Sequence, residues 1–173
     1  MILKIIGSMI VLVSSAFLGY VLSRDCSRRP AELRELQGLL QIFENEISYL
    51  SNLITDAFEK IYRTSESSVR IFFESTVQNL LKDSSLNASQ AWEKAVKENV
   101  RKTSLNKEDE EILVSFGKML GNSDIEGQIK NIRLTLNHLR LQEQKAEEER
   151  ARNEMMFKRL GILGGLAIVV ILI

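Results

Sequence analysis

One cysteine, one proline, one tryptophan and one histidine stand in the whole chain, and each scarcity removes a class of structure or chemistry. With Cys26 alone, no disulfide closes within the chain and no cysteine cluster can hold a metal. Arg24 and Asp25 precede it where a lipoprotein cleavage site wants small neutral residues, so it reads as an ordinary juxtamembrane cysteine. His138 lacks the second histidine of a zinc site and the companions of a triad, so it reads as a structural or surface residue. Net charge is zero, with 23 basic and 23 acidic side chains, which leaves no electrostatic footprint for nucleic acid. Neither G-x-x-x-x-G-K-[ST], H-E-x-x-H nor G-x-S-x-G occurs. The expectation is a protein that is not an enzyme, with no cofactor and no metal; if it serves an energised process, another subunit hydrolyses the ATP. What remains possible with one proline and few aromatics is a mostly helical domain with attached segments.

Two apolar runs are those segments. Residues 1–23 hold a charge-free stretch from Ile5 to Ser23 that approaches the ~20 residues needed to cross a bilayer. A cleaved signal peptide is the rival reading, with Lys4 as a minimal basic region, but the run is long for one and no A-x-A site follows. Residues 160–173 form the second run, 14 residues that would rise only roughly 21 Å as a helix. Such a segment spans if Lys158 and Arg159 snorkel, Met155 to Phe157 dip into the interface and the bilayer thins. Arg24, Arg28 and Arg29 follow the first run; Arg150, Arg152, Lys158 and Arg159 precede the second. Both termini are therefore expected outside, with residues 24–159 in the cytoplasm. Ser15 with Gly19, and Gly161 with Gly165, place small residues at helical spacing, where helix backbones approach closely.

Between the runs the apolar pattern has the helical period. Leu33, Leu36, Leu40, Phe43, Ile47 and Leu50 alternate at three and four, an a/d stripe that would suit a coiled-coil dimer; Leu39, Ile42 and Tyr49 widen it toward bundle packing. Pro30 suits a first turn with Ser27 as cap. Asn52 or Thr55 would cap a short second helix carrying Ala57, Phe58 and Ile61. A serine-rich turn from Thr64 to Ser68 leads to a third with Val69, Phe72, Phe73, Val77, Leu80 and Leu81. After a polar break at 82–89, a fourth carries Ala91, Trp92, Ala95 and Val96, with Trp92 as a core plug. Asn106 can cap a fifth with Ile112, Leu113, Phe116 and Leu120.

The stretch Leu120 to Gln128, L-G-N-S-D-I-E-G-Q, then turns the chain into its last helix. Gly121 suits the left-handed closing conformation. Ser123 with Glu126 spells a capping box, with Asp124 and Gln128 completing the corner. Ile129, Ile132, Leu136 and Leu139 continue the stripe, and from 143 to 159 charge replaces it, with Glu148 to Arg152 and Glu154 to Lys158 at the favourable spacing. That segment reads as a stalk or a partner face. Glu44 and Glu46 are two apart, diverge around the helix and do not make an acid/base pair; Glu44 could instead reach Lys60 or Arg63.

Arg29-Pro30, Glu44-x-Glu46-Ile47-x-Tyr49, Ala57-Phe58, Ala91-Trp92, Leu105 with Asp109, the corner from Leu120 to Gln128, and Leu160-Gly161-x-x-Gly164 together resemble the stage III sporulation protein AB family over the whole chain. Asn52-Leu53 departs from the Thr-Pro that such proteins commonly place before the second helix. The resemblance implies an all-α fold, an antiparallel bundle of about six helices like the cytoplasmic domain of type II secretion platform proteins, set between an N-terminal and a C-terminal transmembrane helix. It implies a non-enzymatic platform in the mother cell membrane around the forespore. Its implied partners are a secretion-type ATPase of the same operon, ring-forming and membrane channel subunits and the lipid bilayer. An oligomer is compatible with this; nucleic acid is not among the partners. Glu44, Glu46, Glu148 and Arg152 are the candidate partner surface. The alternative is a membrane-anchored coiled-coil scaffold or signalling dimer built on the Leu33 to Leu50 stripe.

Overall fold

The computed structural model describes residues 14, 27–50, 54–121 and 123–172, and these carry six α-helices and no strand. They are α1 (Arg28–Leu50), α2 (Ile54–Thr64), α3 (Ile71–Lys82), α4 (Ala88–Asn99), α5 (Lys107–Gly117) and α6 (Ile125–Leu172), with 3₁₀ turns at Ser68–Arg70 and Val100–Lys102. The all-α expectation and the helix count hold. The expected first span at 1–23, with Ser15 and Gly19, lies outside the described residues apart from Ser14. Among the described residues no helix is long and apolar enough to cross a membrane. The backbone at Gly161 and Gly165 is helical, inside α6. Contacts divide the chain into two units, Arg29–Gln144 and a second that includes the residues from Lys145 onward.

Local chemistry sets the helix ends. Asn87 and Gln90 form a reciprocal capping box at the start of α4, and Asn106 with Asp109 does the same for α5, so each pair satisfies two amides that the first turn would otherwise leave unbonded. Thr55 lies inside α2 and does not cap it; Asn52 lies outside the described residues. The serine-rich stretch before α3 forms a turn, where the Ser67 hydroxyl accepts from the Val69 amide at 3.3 Å. Between α3 and α4, the Ser85 hydroxyl and amide bond Asp83 and hold its carboxyl below the usual carboxylate range.

One ring from each of the first five helices fills the centre: Phe43, Phe58, Phe73, Trp92 and Phe116, all at most 1 % exposed. Their centroids lie 4.8 Å (Phe43 to Phe58), 5.0 Å (Phe58 to Phe73), 5.2 Å (Phe73 to Trp92) and 5.2 Å (Trp92 to Phe116) apart, mostly tilted or edge-on, the arrangement aromatic quadrupoles favour. α6 adds Ile132, Leu136 and Leu139 from its buried side. α1 and α6 run antiparallel, since Arg34 and Gln37 bond Glu143 while Glu44, farther along α1, bonds Arg133, farther back on α6. The α1 stripe from Leu33 to Ile47 is inside this one chain, so it is not available to a coiled-coil dimer. Leu81, expected on the buried side of α3, projects from its last turn with 77 % exposure.

Candidate functional site

The corner forms, with its cap one residue later than the sequence suggests. α5 ends at Gly117, and the chain tightens through amide-to-carbonyl bonds from Lys118 to Ser115, Met119 to Phe116 and Leu120 to Gly117, each closing three residues back. Leu120 is buried, and Gly121 then takes φ +73°. A Cβ there would sit 3.5 Å from Ala88 Cβ and 3.8 Å from Ile54 Cδ1, ordinary contact distances, so the conformation and not the space calls for glycine. Gly121→Val should therefore destabilise the bundle by about 1–2 kcal/mol, the cost of a left-handed residue with a branched Cβ, while Gly121→Asn should cost less. Thermal unfolding of the variants checks this; an unchanged Gly121→Val transition would remove the corner argument.

Asp124, not Ser123, caps α6. Its Oδ1 accepts from the Gly127 amide at 2.9 Å and its carbonyl from the Gln128 amide at 2.9 Å. The Ser123 hydroxyl instead donates back to the Met119 carbonyl at 3.3 Å, so the Ser123/Glu126 box is not formed and Glu126 stands exposed in the first turn. The physical reason is the phase of the turn: Ser123 is still bonded into the turn that follows α5, and the third helical residue after Asp124 is a glycine with no carboxylate to return. The Gln128 side-chain amide donates to the Ser123 carbonyl at 3.3 Å. Asn131, which the sequence reading passed over, reaches from α6 to donate to the Phe116 carbonyl at 3.0 Å, tying the new helix to the end of the old one.

A second polar site was not legible at all. Arg29 grips Asp109 with two bonds, Nε to Oδ2 at 2.8 Å and Nη2 to Oδ1 at 3.1 Å, and also donates to Gln142 Oε1 at 3.0 Å. Gln142 Nε2 continues to Glu108 at 2.9 Å. Asp109 is fully buried, and the same Oδ2 accepts the Asn106 amide at 2.9 Å, so one carboxylate both starts α5 and binds the start of α1. Arg29 and Asp109, two of the residues that carried the family resemblance, are thus partners. The bidentate fork is geometry that lysine cannot supply. Beside it, Glu32 accepts the Ser104 amide at 2.6 Å and the Ser68 hydroxyl at 3.3 Å.

Two of the four candidate surface residues are engaged inside the Arg29–Gln144 unit. Glu46 is 7 % exposed and bonds Lys60 Nζ at 2.6 Å, and Glu44, half-buried, bonds Arg133 Nε at 2.7 Å; both hold helices together and are corrected from partner surface to internal ties. Neither Lys60 nor Arg63 serves Glu44, since Arg63 pairs with Glu59 along α2. Glu148 and Arg152 are exposed, in the second unit. Their own pair is not formed: Arg150 bonds Glu147 at 3.1 Å and lies 3.9 Å from Glu154. His138 is exposed on α6, and among the described residues no group of His, Cys, Asp or Glu could hold a metal ion.

The fold and these sites define an all-α protein whose buried polar groups tie helix to helix. A sequence profile of the family described as Stage III sporulation protein AB matches residues 4–173. The chain is 34 % identical over 170 residues to the Stage III sporulation protein AB of Bacillus subtilis (strain 168), covering 98 % of this chain and 99 % of that one. A solved structure of Stage III sporulation protein AB matches with a TM-score of 0.67 at 34 % identity, covering 72 % of this chain and 98 % of that one. The chain belongs to the stage III sporulation protein AB family, and so among sporulation proteins.

Proposed function

We propose that the protein is a non-enzymatic platform of the mother cell to forespore channel, set in the mother cell membrane by its two apolar ends and docking the secretion-type ATPase of its operon on a cytoplasmic bundle. The observation that carries this reading is the way the bundle uses its apolar stripes: Leu33, Leu36, Leu40 and Phe43 are fully buried within one chain, so the stripe is taken up inside the bundle and its outer faces remain for other proteins. The family match along residues 4–173 takes in both apolar ends, which supports their reading as anchors. The same burial weighs against the coiled-coil dimer, whose seam would have to be pulled out of the core.

Co-purification of the full-length protein in detergent from sporulating cells tests the reading. The ATPase and membrane channel subunits are expected to be captured, and Glu148→Lys with Arg152→Glu is expected to weaken one of these captures while leaving thermal unfolding within about 0.5 kcal/mol, since both side chains are exposed. Absence of both partners from the purified material would overturn the platform role.

A further inference from the structure

Two leucines on the α6 part of the Arg29–Gln144 unit are out of place for a core helix. Leu134 is 54 % and Leu141 57 % exposed. Each lies two residues beyond a fully buried neighbour, Ile132 and Leu139; at roughly 100° per residue they sit on the side of α6 facing away from the core. They are therefore not the rim of the buried stripe. They are one heptad apart, with Asn137 exposed between them and Lys130 exposed one turn before, so they form a narrow seam of their own. From Gly127 to Gln142 the helix carries Lys130, Arg133 and Arg140 and no acidic residue; Glu126 stands exposed one turn before Lys130, and Glu143 beyond the stretch is held by Arg34. Arg133 is engaged by Glu44, whereas Lys130 and Arg140 have no acidic partner among the described residues.

We infer that this face of α6 is a docking surface for an acidic amphipathic helix of another protein, one with apolar residues a heptad apart to seat beside Leu134 and Leu141 and carboxylates to meet Lys130 and Arg140. Charge complementarity selects the occupant: an unmatched basic shoulder beside an apolar seam attracts the opposite sign and repels its own. Seam width argues against a lipid surface, because a helix lying in a membrane interface presents a broad apolar face and not two leucines separated by Asn137. The inference rests on the platform reading for there being a protein partner and goes beyond it in naming the face and the partner's chemistry.

The test uses the full-length protein in detergent and a synthetic helix with leucine at every seventh position and glutamates on both shoulders, against the same helix with lysines for glutamates. The acidic helix is expected to bind at least about tenfold tighter, a difference that shrinks with added salt as the charges are screened. Leu134→Ser with Leu141→Ser, and separately Lys130→Glu with Arg140→Glu, should abolish that preference with thermal unfolding unchanged. Equal binding of both helices, or binding of neither, overturns the inference. So does self-association removed by the leucine pair, which would assign the face to a second copy. Displacement of the acidic helix by phosphatidylglycerol in the micelles would assign it to a membrane and overturn the inference as well. The two readings separate cleanly: ATPase capture that survives both variant pairs, with no helix binding, sinks this face and leaves the platform, while helix binding without ATPase capture sinks the platform and leaves the face.

Discussion

Trp92→Ala is expected to cost about 3–5 kcal/mol, the range for removing a fully buried large aromatic side chain, and to be the most damaging single truncation in the bundle. The indole is 0 % exposed and meets Phe58, Phe73 and Phe116 at 5.4, 5.2 and 5.2 Å, so its loss opens a cavity bordered by three helices at once. It also removes the bond from Nε1 to the Leu113 carbonyl, 2.7 Å and buried. The slot that receives the indole is made by an absence on α5. At Gly117 a Cβ would collide with Trp92 Cδ1, and the indole has no flexible end to yield. Gly117→Ala should therefore destabilise by about 1–3 kcal/mol although alanine is the better helix former, because overpacking outweighs the propensity gain of about 1 kcal/mol. Denaturant unfolding followed by circular dichroism measures both variants. As Trp92 is the only tryptophan, its emission should also shift to the red in Gly117→Ala as the ring is pushed from the core. Unchanged emission and unchanged stability would mean that residue 117 does not shape the slot.

The second large effect is expected at Arg29. Arg29→Leu leaves the Asp109 carboxylate, fully buried, with only the Asn106 amide of the capping box. Removing one member of a buried, hydrogen-bonded pair typically costs about 3–5 kcal/mol, mostly through the stranded charge. Asp109→Asn keeps an acceptor for the cap and removes the charge, so it should cost less than Asp109→Ala, which loses the cap as well. Arg29→Lys should recover only part of the loss, because an ammonium cannot form the two-pronged contact. The double variant Arg29→Leu/Asp109→Asn should be more stable than the sum of the single losses predicts. Additive single effects, or an Arg29→Leu loss below about 1 kcal/mol, would show that the pair is not the tie that the 2.8 Å contact indicates.

Much of the architecture was legible because its signals are local. The three-and-four spacing of Leu33, Leu36, Leu40 and Phe43, the Asn106 cap and the left-handed Gly121 each depend on residues within a turn or two of one another. Periodicity fixes which side of a helix is apolar, and capping chemistry fixes where it begins, without reference to the rest of the chain. Even so, the phase of the last cap escaped this reading: Ser123 and Asp124 are both good capping residues, and the choice of Asp124 follows from how the Ser123 hydroxyl is bonded back to Met119.

Contacts across helices were not legible, for a different reason. Arg29 and Asp109 are 80 residues apart, and Glu44 and Arg133 are 89 apart. Their meeting depends on the rotation and axial offset of packed helices, which no local spacing encodes. For the same reason Glu46 reads as surface charge in sequence and is an internal tie to Lys60, and Leu81 reads as part of the buried side of α3 and is exposed. The sequence by itself determined the helices, their apolar sides and the corner that reverses the chain, since these follow from steric and hydrogen-bond preferences of neighbouring residues. Tertiary structure alone decided which charges are joined, why residue 117 must be glycine beneath Trp92, and which leucines stay exposed, since each is settled by what a second helix places against the first.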